Sequence, residues 1–173
     1  MRKRLPVHRR AQERPYWCLA ACIQMATEVV RPPAAQCQIV GNILGLSTSC
    51  CVTPVPSICE ILEFSPDEVP QVLRASGLNC TTLVAAHGSL SDDAVRRAID
   101  ANHPIICMWE YASQNVSHTV VVAGYDTEYQ LGLTAIVYNP ATRSPNALWL
   151  TMENLNSAED WGVLTDAWEV WAS

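Results

Sequence analysis

Eight cysteines and four histidines are the residues of this chain best suited to nucleophilic chemistry. A cysteine attacks as its thiolate, so it needs a setting that ionises it and a histidine to exchange protons. The histidine needs a third group to fix its ring, and the oxyanion that forms needs preorganised donors. Cys18 stands in "QERPYWCLAAC", at the head of an apolar run. That run, "WCLAACIQMATEVV" over 17–30, reads as a buried helix stopped by Arg31-Pro32-Pro33. Cys18 then falls in the first turn, where unpaired backbone N–H groups and the positive end of the helix dipole favour a thiolate. Cys22 lies one turn deeper and loses most of that benefit. Cys107, between Ile106 and Met108, reads as strand core.

Gln12 precedes Cys18 by six residues (18 − 12), close enough for its amide to donate to an oxyanion beside the thiol. A loop glutamine is ordinarily mere surface, and this spacing gains meaning only beside a suitable histidine. His8 lies in a basic run, His87 in a loop and His103 at a turn before Pro104. His118 opens the most apolar strand, followed by Thr119-Val120-Val121-Val122, and a polar ring at the mouth of a buried strand must find partners. Asn139 ends "AIVYNP", where Pro140 holds it extended and its side-chain oxygen can accept from the imidazole. The plain alternative is an Asn-Pro turn. Asp126, eight residues past His118 (126 − 118), belongs at the far end of the same strand.

The elements that must position these residues change character along the chain. "AAQCQIVGNILG" reads as a second helix ended by Gly45. "LSTSCCVTPVPSICEILEF" reads as an irregular loop with a short helix from Ser57, and Ser65-Pro66 opens a further helix with Ser65 as its cap. "NCTTLVAA" is an expected strand, and "SLSDDAVRRAIDAN" an amphipathic helix capped by Ser91 with Ala94, Val95, Ala98 and Ile99 inward. "HPIICMWEY", "SHTVVVAGYD", "LTAIVYNP", "ALWLT" and "GVLTDAWEVWA" read as strands. Helices first and strands later imply an α+β fold, with a helical half packed against a C-terminal antiparallel sheet.

With 173 residues, 49% of them hydrophobic, the chain suits one domain with a substantial core. Its net charge of −6 argues against a general nucleic-acid binder, and no apolar segment is long enough to span a membrane. "MRKRLPVHRRA" reads as a basic flexible tail over 1–11, followed by a single domain over 12–173 with a helical part (12–78) and a sheet part (79–173). A docking or lipid-surface arm is the less ordinary reading of that start. No secretory signal is visible, so the expected location is the cytoplasm or outside the cell through a dedicated secretion system. The cysteine-rich region keeps secretion open. Cys37, Cys50, Cys51 and Cys59 are read as disulfide partners or buried thiols; zinc is disfavoured because no C-x-x-C pair and no nearby histidine occur.

Taken together, "QERPYWCLAAC", "AQCQIVGNILGLSTSCC", "HPIICMWEYASQNVSHTVVVAGYD" and "AIVYNP" make the chain resemble a papain-like cysteine peptidase of the compact bacterial branch. That branch is similar to the avirulence-effector proteases of plant pathogens and, more distantly, to double-glycine leader peptidases. The resemblance covers nearly all the chain after Ala11 and implies a papain-like fold with an active-site cleft between its halves. It implies that Cys18 is the nucleophile, His118 the base, Asn139 the group orienting His118, and Gln12 an oxyanion donor. It further implies that the loop of Cys37, Cys50, Cys51 and Cys59 carries disulfide staples. The branch usually has Asp at the position of Asn139 and often glycine at that of Ser117. Trp17, the cysteine-rich loop and the segment from Tyr111 to Ser117 are expected to wall the cleft. The expected reaction is peptide-bond hydrolysis on a protein or peptide substrate, by a monomer with no metal or cofactor. A transamidase or peptide cyclase would use the same residues, and a non-catalytic binding module would keep only the fold.

Overall fold

The computed structural model of this chain describes residues 1–46, 49–60, 64–111, 116–128, 132–141, 146–158 and 162–173. Among them, α1 (Cys18–Thr27), α2 (Gln36–Ile43), α3 (Ser57–Glu60) and α4 (Val69–Ala75) precede most of the strands. β2 (Leu78–Val84) and α5 (Asp92–Asp100) lead into β3 (Ile105–Tyr111), β4 (Val116–Asp126) and β5 (Thr134–Tyr138). β6 (Leu148–Thr151), α6 (Met152–Asn156), β7 (Ser157–Ala158) and β8 (Gly162–Ala172) complete the chain, and β1 (Arg2–Arg4) begins it. The eight strands form one antiparallel sheet in the order β2-β8-β3-β4-β5-β6, with β1 on β4 and β7 on β8. The architecture is the expected α+β one, consistent with a papain-like peptidase. Helix α6, β1 and β7 are additions to the elements expected from the sequence.

The core lies where α1 and α5 meet the sheet. Every residue of α1 after Cys18 is buried, and β5 is buried along its whole length. Helix α5 turns Ala94, Val95, Ala98 and Ile99 inward, with Ser91 Oγ accepting from the Ala94 N–H as its cap. Two disulfides, Cys37–Cys51 and Cys50–Cys59, tie the one-turn 3₁₀ segment Ser49–Cys51 to α2 and to α3.

Two expectations need correction. Residues 1–11 are not a flexible tail: β1 pairs residue by residue with Gly124–Asp126, and Leu5 and Val7 are buried. Alternating Leu5 and Val7 supply apolar anchors, while the basic side chains reach partners on the sheet and on α5. Arg2 lies over the Trp149 ring, Arg4 bonds the Tyr138 hydroxyl, and Lys3 donates to the Asp100 carbonyl. The helix expected from Ser65 begins instead at Val69. Pro70 is the cause, because its ring clashes with the carbonyl four residues back, that of Pro66. Ser65 consequently bonds the Glu68 carboxylate through its N–H and Oγ, in the turn before the helix.

Candidate active site

Helix α1 starts with no side-chain cap, since its N-cap residue is Trp17. The N–H groups of its first turn are therefore left for whatever approaches the end, and the first side chain there is Cys18. Beside it, β4 extends beyond its partner β5: their pairing begins at Val121–Tyr138. The stretch Ser117–Val120 is thus paired to β3 alone, and its other edge is open to the head of α1.

His118 and Thr119 lie on this open edge, and both reach Cys18. Burial opposes ionisation and is the largest single influence, but the His118 imidazole and Thr119 beside the thiol together outweigh it and hold the Cys18 pKa below that of an ordinary thiol. His118 shows the reciprocal effect. Burial works against its charge, yet the Cys18 sulfur and Asn139 raise its pKa above that of a free imidazole. The pair therefore favours thiolate and imidazolium over thiol and imidazole.

Asn139 stands just past the end of β5, 2% exposed. Its Oδ1 accepts from His118 Nε2 at 2.9 Å and from the Ala141 N–H at 2.8 Å. An amide oxygen can only accept, so His118 carries its proton on Nε2 and keeps Nδ1 for the sulfur. Asp126 is far from this arrangement, paired with Arg2 at the other end of β4. The remaining histidines are engaged elsewhere: His8 with Glu28, His87 near Glu110, and His103 with Glu169.

Other expected site residues are placed differently. Gln12 is close in sequence, but its Nε2 donates to the carbonyls of Arg14 at 3.0 Å and Pro15 at 2.5 Å, so both amide hydrogens are in use. Trp17 is not a cleft wall. It is 1% exposed, with Nε1 donating to the Cys59 carbonyl at 2.7 Å, because the ring turns under the stapled loop. Ser117 is exposed on β4 and lines a cavity. Of the expected rim from Tyr111 to Ser117, residues 112–115 lie outside the described residues. Tyr111 sits with its ring 6.5 Å from that of His118. Among the described residues, no group of three or more His, Cys, Asp or Glu is arranged to hold a metal.

Two of the other free thiols, Cys22 and Cys107, differ sharply from Cys18. Burial, then the charge of Cys18, drives the Cys22 pKa well up, and burial pushes Cys107 to about 12. Both remain protonated packing residues.

Three supporting residues carried little signal in the sequence. Thr119 looked like one more β-branched strand residue. Gln36, 1% exposed, donates through Nε2 to the Ala11 carbonyl at 2.7 Å and accepts at Oε1 from the Glu13 N–H at 2.9 Å, so it brackets Gln12 from both sides. Arg9 donates to the Asn139 carbonyl at 3.1 Å and the Pro140 carbonyl at 3.3 Å, and the Gln12 N–H also donates to Pro140. The segment from Arg9 to Glu13 is thereby tied to the end of β5 on one side and to α2 on the other.

Compared with known families, residues 4–167 match the model described as "Peptidase_C39 like family". Among curated proteins, nothing matches.

Proposed function

This chain belongs to the Peptidase_C39 like family, a family of cysteine peptidases, and from that premise we propose that it hydrolyses peptide bonds through Cys18, His118 and Asn139. The observation that carries the reading is the shared environment of the three side chains. A thiolate-favouring Cys18 meets an imidazolium-favouring His118, whose Nε2–H is held by Asn139. In this reading Cys18 Sγ attacks the scissile carbonyl carbon, and the electron pair moves to the carbonyl oxygen. The Cys18 N–H, first in α1 and without an acceptor four residues back, is aimed to stabilise that oxyanion. Gln12 joins it by exchanging one of its bonds to Arg14 or Pro15 for the oxyanion.

Collapse of the tetrahedral adduct breaks the C–N bond, and the leaving amine takes the proton from His118 Nδ1. His118, now neutral, removes a proton from water, which attacks the thioester and returns Cys18 to its starting form. Asn139 is uncharged, so it fixes the tautomer and the ring plane without adding a charge to favour the imidazolium.

The test is selective labelling and turnover. A peptidyl epoxide is expected to alkylate Cys18 and spare Cys22, Cys80 and Cys107, as read by peptide mapping. Cys18→Ala should abolish hydrolysis of a denatured protein substrate, and Gln12→Ala should lower kcat by roughly 10²–10³. Full turnover by Cys18→Ala would sink the proposal.

A further inference from the structure

Next to the candidate active site, a cavity of about 480 Å³ opens between the turn before α4, the loop after β2 and the sheet. Phe64, Met108 and Val116 give it apolar walls, while Asp67, Glu110 and Asp166 give it three carboxylates. Asp67 is exposed and Glu110 half-buried, so both sit toward the mouth. His87, 3.9 Å from Glu110, is the histidine on that rim.

Asp166 is different. It is 6% exposed, lines the cavity, and among the described residues its carboxylate has neither a hydrogen bond nor an ion pair. Its oxygens are not shut away from water but face the open cavity, where a ligand's cation would replace that water. Its place in the sheet sets this carboxylate near the candidate active site. Asp166 pairs with Met108 across β8 and β3, and Met108 pairs with Thr119 across β3 and β4. Thr119 lies beside the Cys18 thiol. Two strand spacings therefore separate Asp166 from the residue beside the nucleophile, roughly 10 Å. Ser117, the residue before His118, lines the same cavity.

We propose that this cavity is a substrate subsite selective for a long basic side chain, arginine or lysine, with its methylene stem on Phe64, Met108 and Val116 and its cationic head on Asp166. Glu110 and Asp67 attract the cation at the entrance. The shape argues for an organic cation over a bare metal ion, since these carboxylates do not converge on one point. The stem fits because lysine and arginine bury their methylenes readily while keeping the head on a polar partner. The inference rests on the peptidase reading, which supplies a peptide lying across Cys18.

Arginine and its uncharged isostere citrulline test this directly. Matched fluorogenic peptides, each with arginine or citrulline at one position near the scissile bond, are assayed for kcat/KM. At one position arginine should be favoured on the order of 10- to 100-fold, the range expected for a charge-assisted bond made in a desolvated site. In Asp166→Asn that ratio should collapse toward unity. Equal use of arginine and citrulline at every position overturns the proposal, as does a preference that survives Asp166→Asn. A turnover-free arm separates this from failure of the peptidase reading. N-acetyl-arginine methylamide, but not its citrulline counterpart, should shift the backbone amide resonances of Ser117, Thr165 and Asp166 in the unmodified protein. Those shifts without any hydrolysis would keep the subsite and reject the peptidase; hydrolysis without them would do the reverse. Should Asp166→Asn fail to fold, the comparison in the unmodified protein still decides.

Discussion

A thiol sheltered like Cys18 would ordinarily be hard to ionise, as the fully buried Cys22 and Cys107 are. What separates Cys18 is a set of donors that burial alone would not provide, and this sets the pH dependence. Reaction needs the thiolate, which the depressed Cys18 pKa brings in at lower pH than for a free thiol, and the imidazolium, which the elevated His118 pKa keeps to higher pH than for a free imidazole. The two limbs belong to the coupled pair and not to either residue alone. Alkylation of Cys18 followed against pH should therefore plateau below the roughly 8.5 of a free thiol. Asn139→Ala removes one contribution that raises His118, so the alkaline limb of turnover against pH should move to lower pH in that variant. A profile that climbs only as an ordinary thiol ionises would contradict the pairing. Much of this geometry was legible in the sequence. A cysteine at an uncapped helix start and a histidine at a strand mouth announce their positions through neighbouring apolar residues. Asn139 was legible through Pro140, which marks where β5 must stop. Thr119 and Asp166 were not, because a threonine or aspartate inside a strand pattern does not say which edge is open or what lies across two strands. Trp17 misled because aromatic residues serve cores and clefts alike, and only its bond to Cys59 decides.

At the scale of elements, the first strand is what composition hides. Five Lys and Arg side chains within the first ten residues suggest a solvated tail, yet each finds a partner: Arg2, Arg4 and Arg9 on the sheet and its end, Lys3 on α5 and Arg10 on Glu28 after α1. The readable clue was the alternation of Leu5 and Val7. A second clue was Gly124: a Cβ there would lie 2.6 Å from the Lys3 carbonyl, so only glycine lets β1 approach β4 at that point. Arg9 gives the arrangement a functional edge. Its guanidinium bridges the carbonyls of Asn139 and Pro140, so it restrains the backbone that aims Asn139 at His118. Arg9→Ala should lower kcat by about tenfold with little change in KM, since the loss falls on alignment and not on substrate contact. Arg9→Lys should recover only part of it, because an ammonium lacks the planar fork. A change in KM alone would assign Arg9 to substrate binding instead. The delayed start of α4 has an equally local cause, since one proline at its second position moves a helix boundary that capping signals alone place too early.

At the scale of the molecule, the sheet ties distant parts of the chain together, while the cysteine-rich loop is held by covalent bonds. The order of helices and strands was legible because the apolar period changes near residue 78; the pairing of four cysteines was not, since spacing alone allows three connectivities. The two bonds differ in access. Cys51 is exposed and Cys37 half-buried, whereas Cys50 and Cys59 are fully buried. A small thiol reductant should free two cysteines in the native protein before it frees four, countable by mass after alkylation. Simultaneous release of all four would mean that the loop opens as a whole. The practical consequence falls on the bench chemist. Dithiothreitol is the customary additive for rescuing an oxidised nucleophile, but here each added millimole repairs one sulfur while it threatens others. The useful dose is a window, with an inactive enzyme on its lean side and an unlaced one on its rich side.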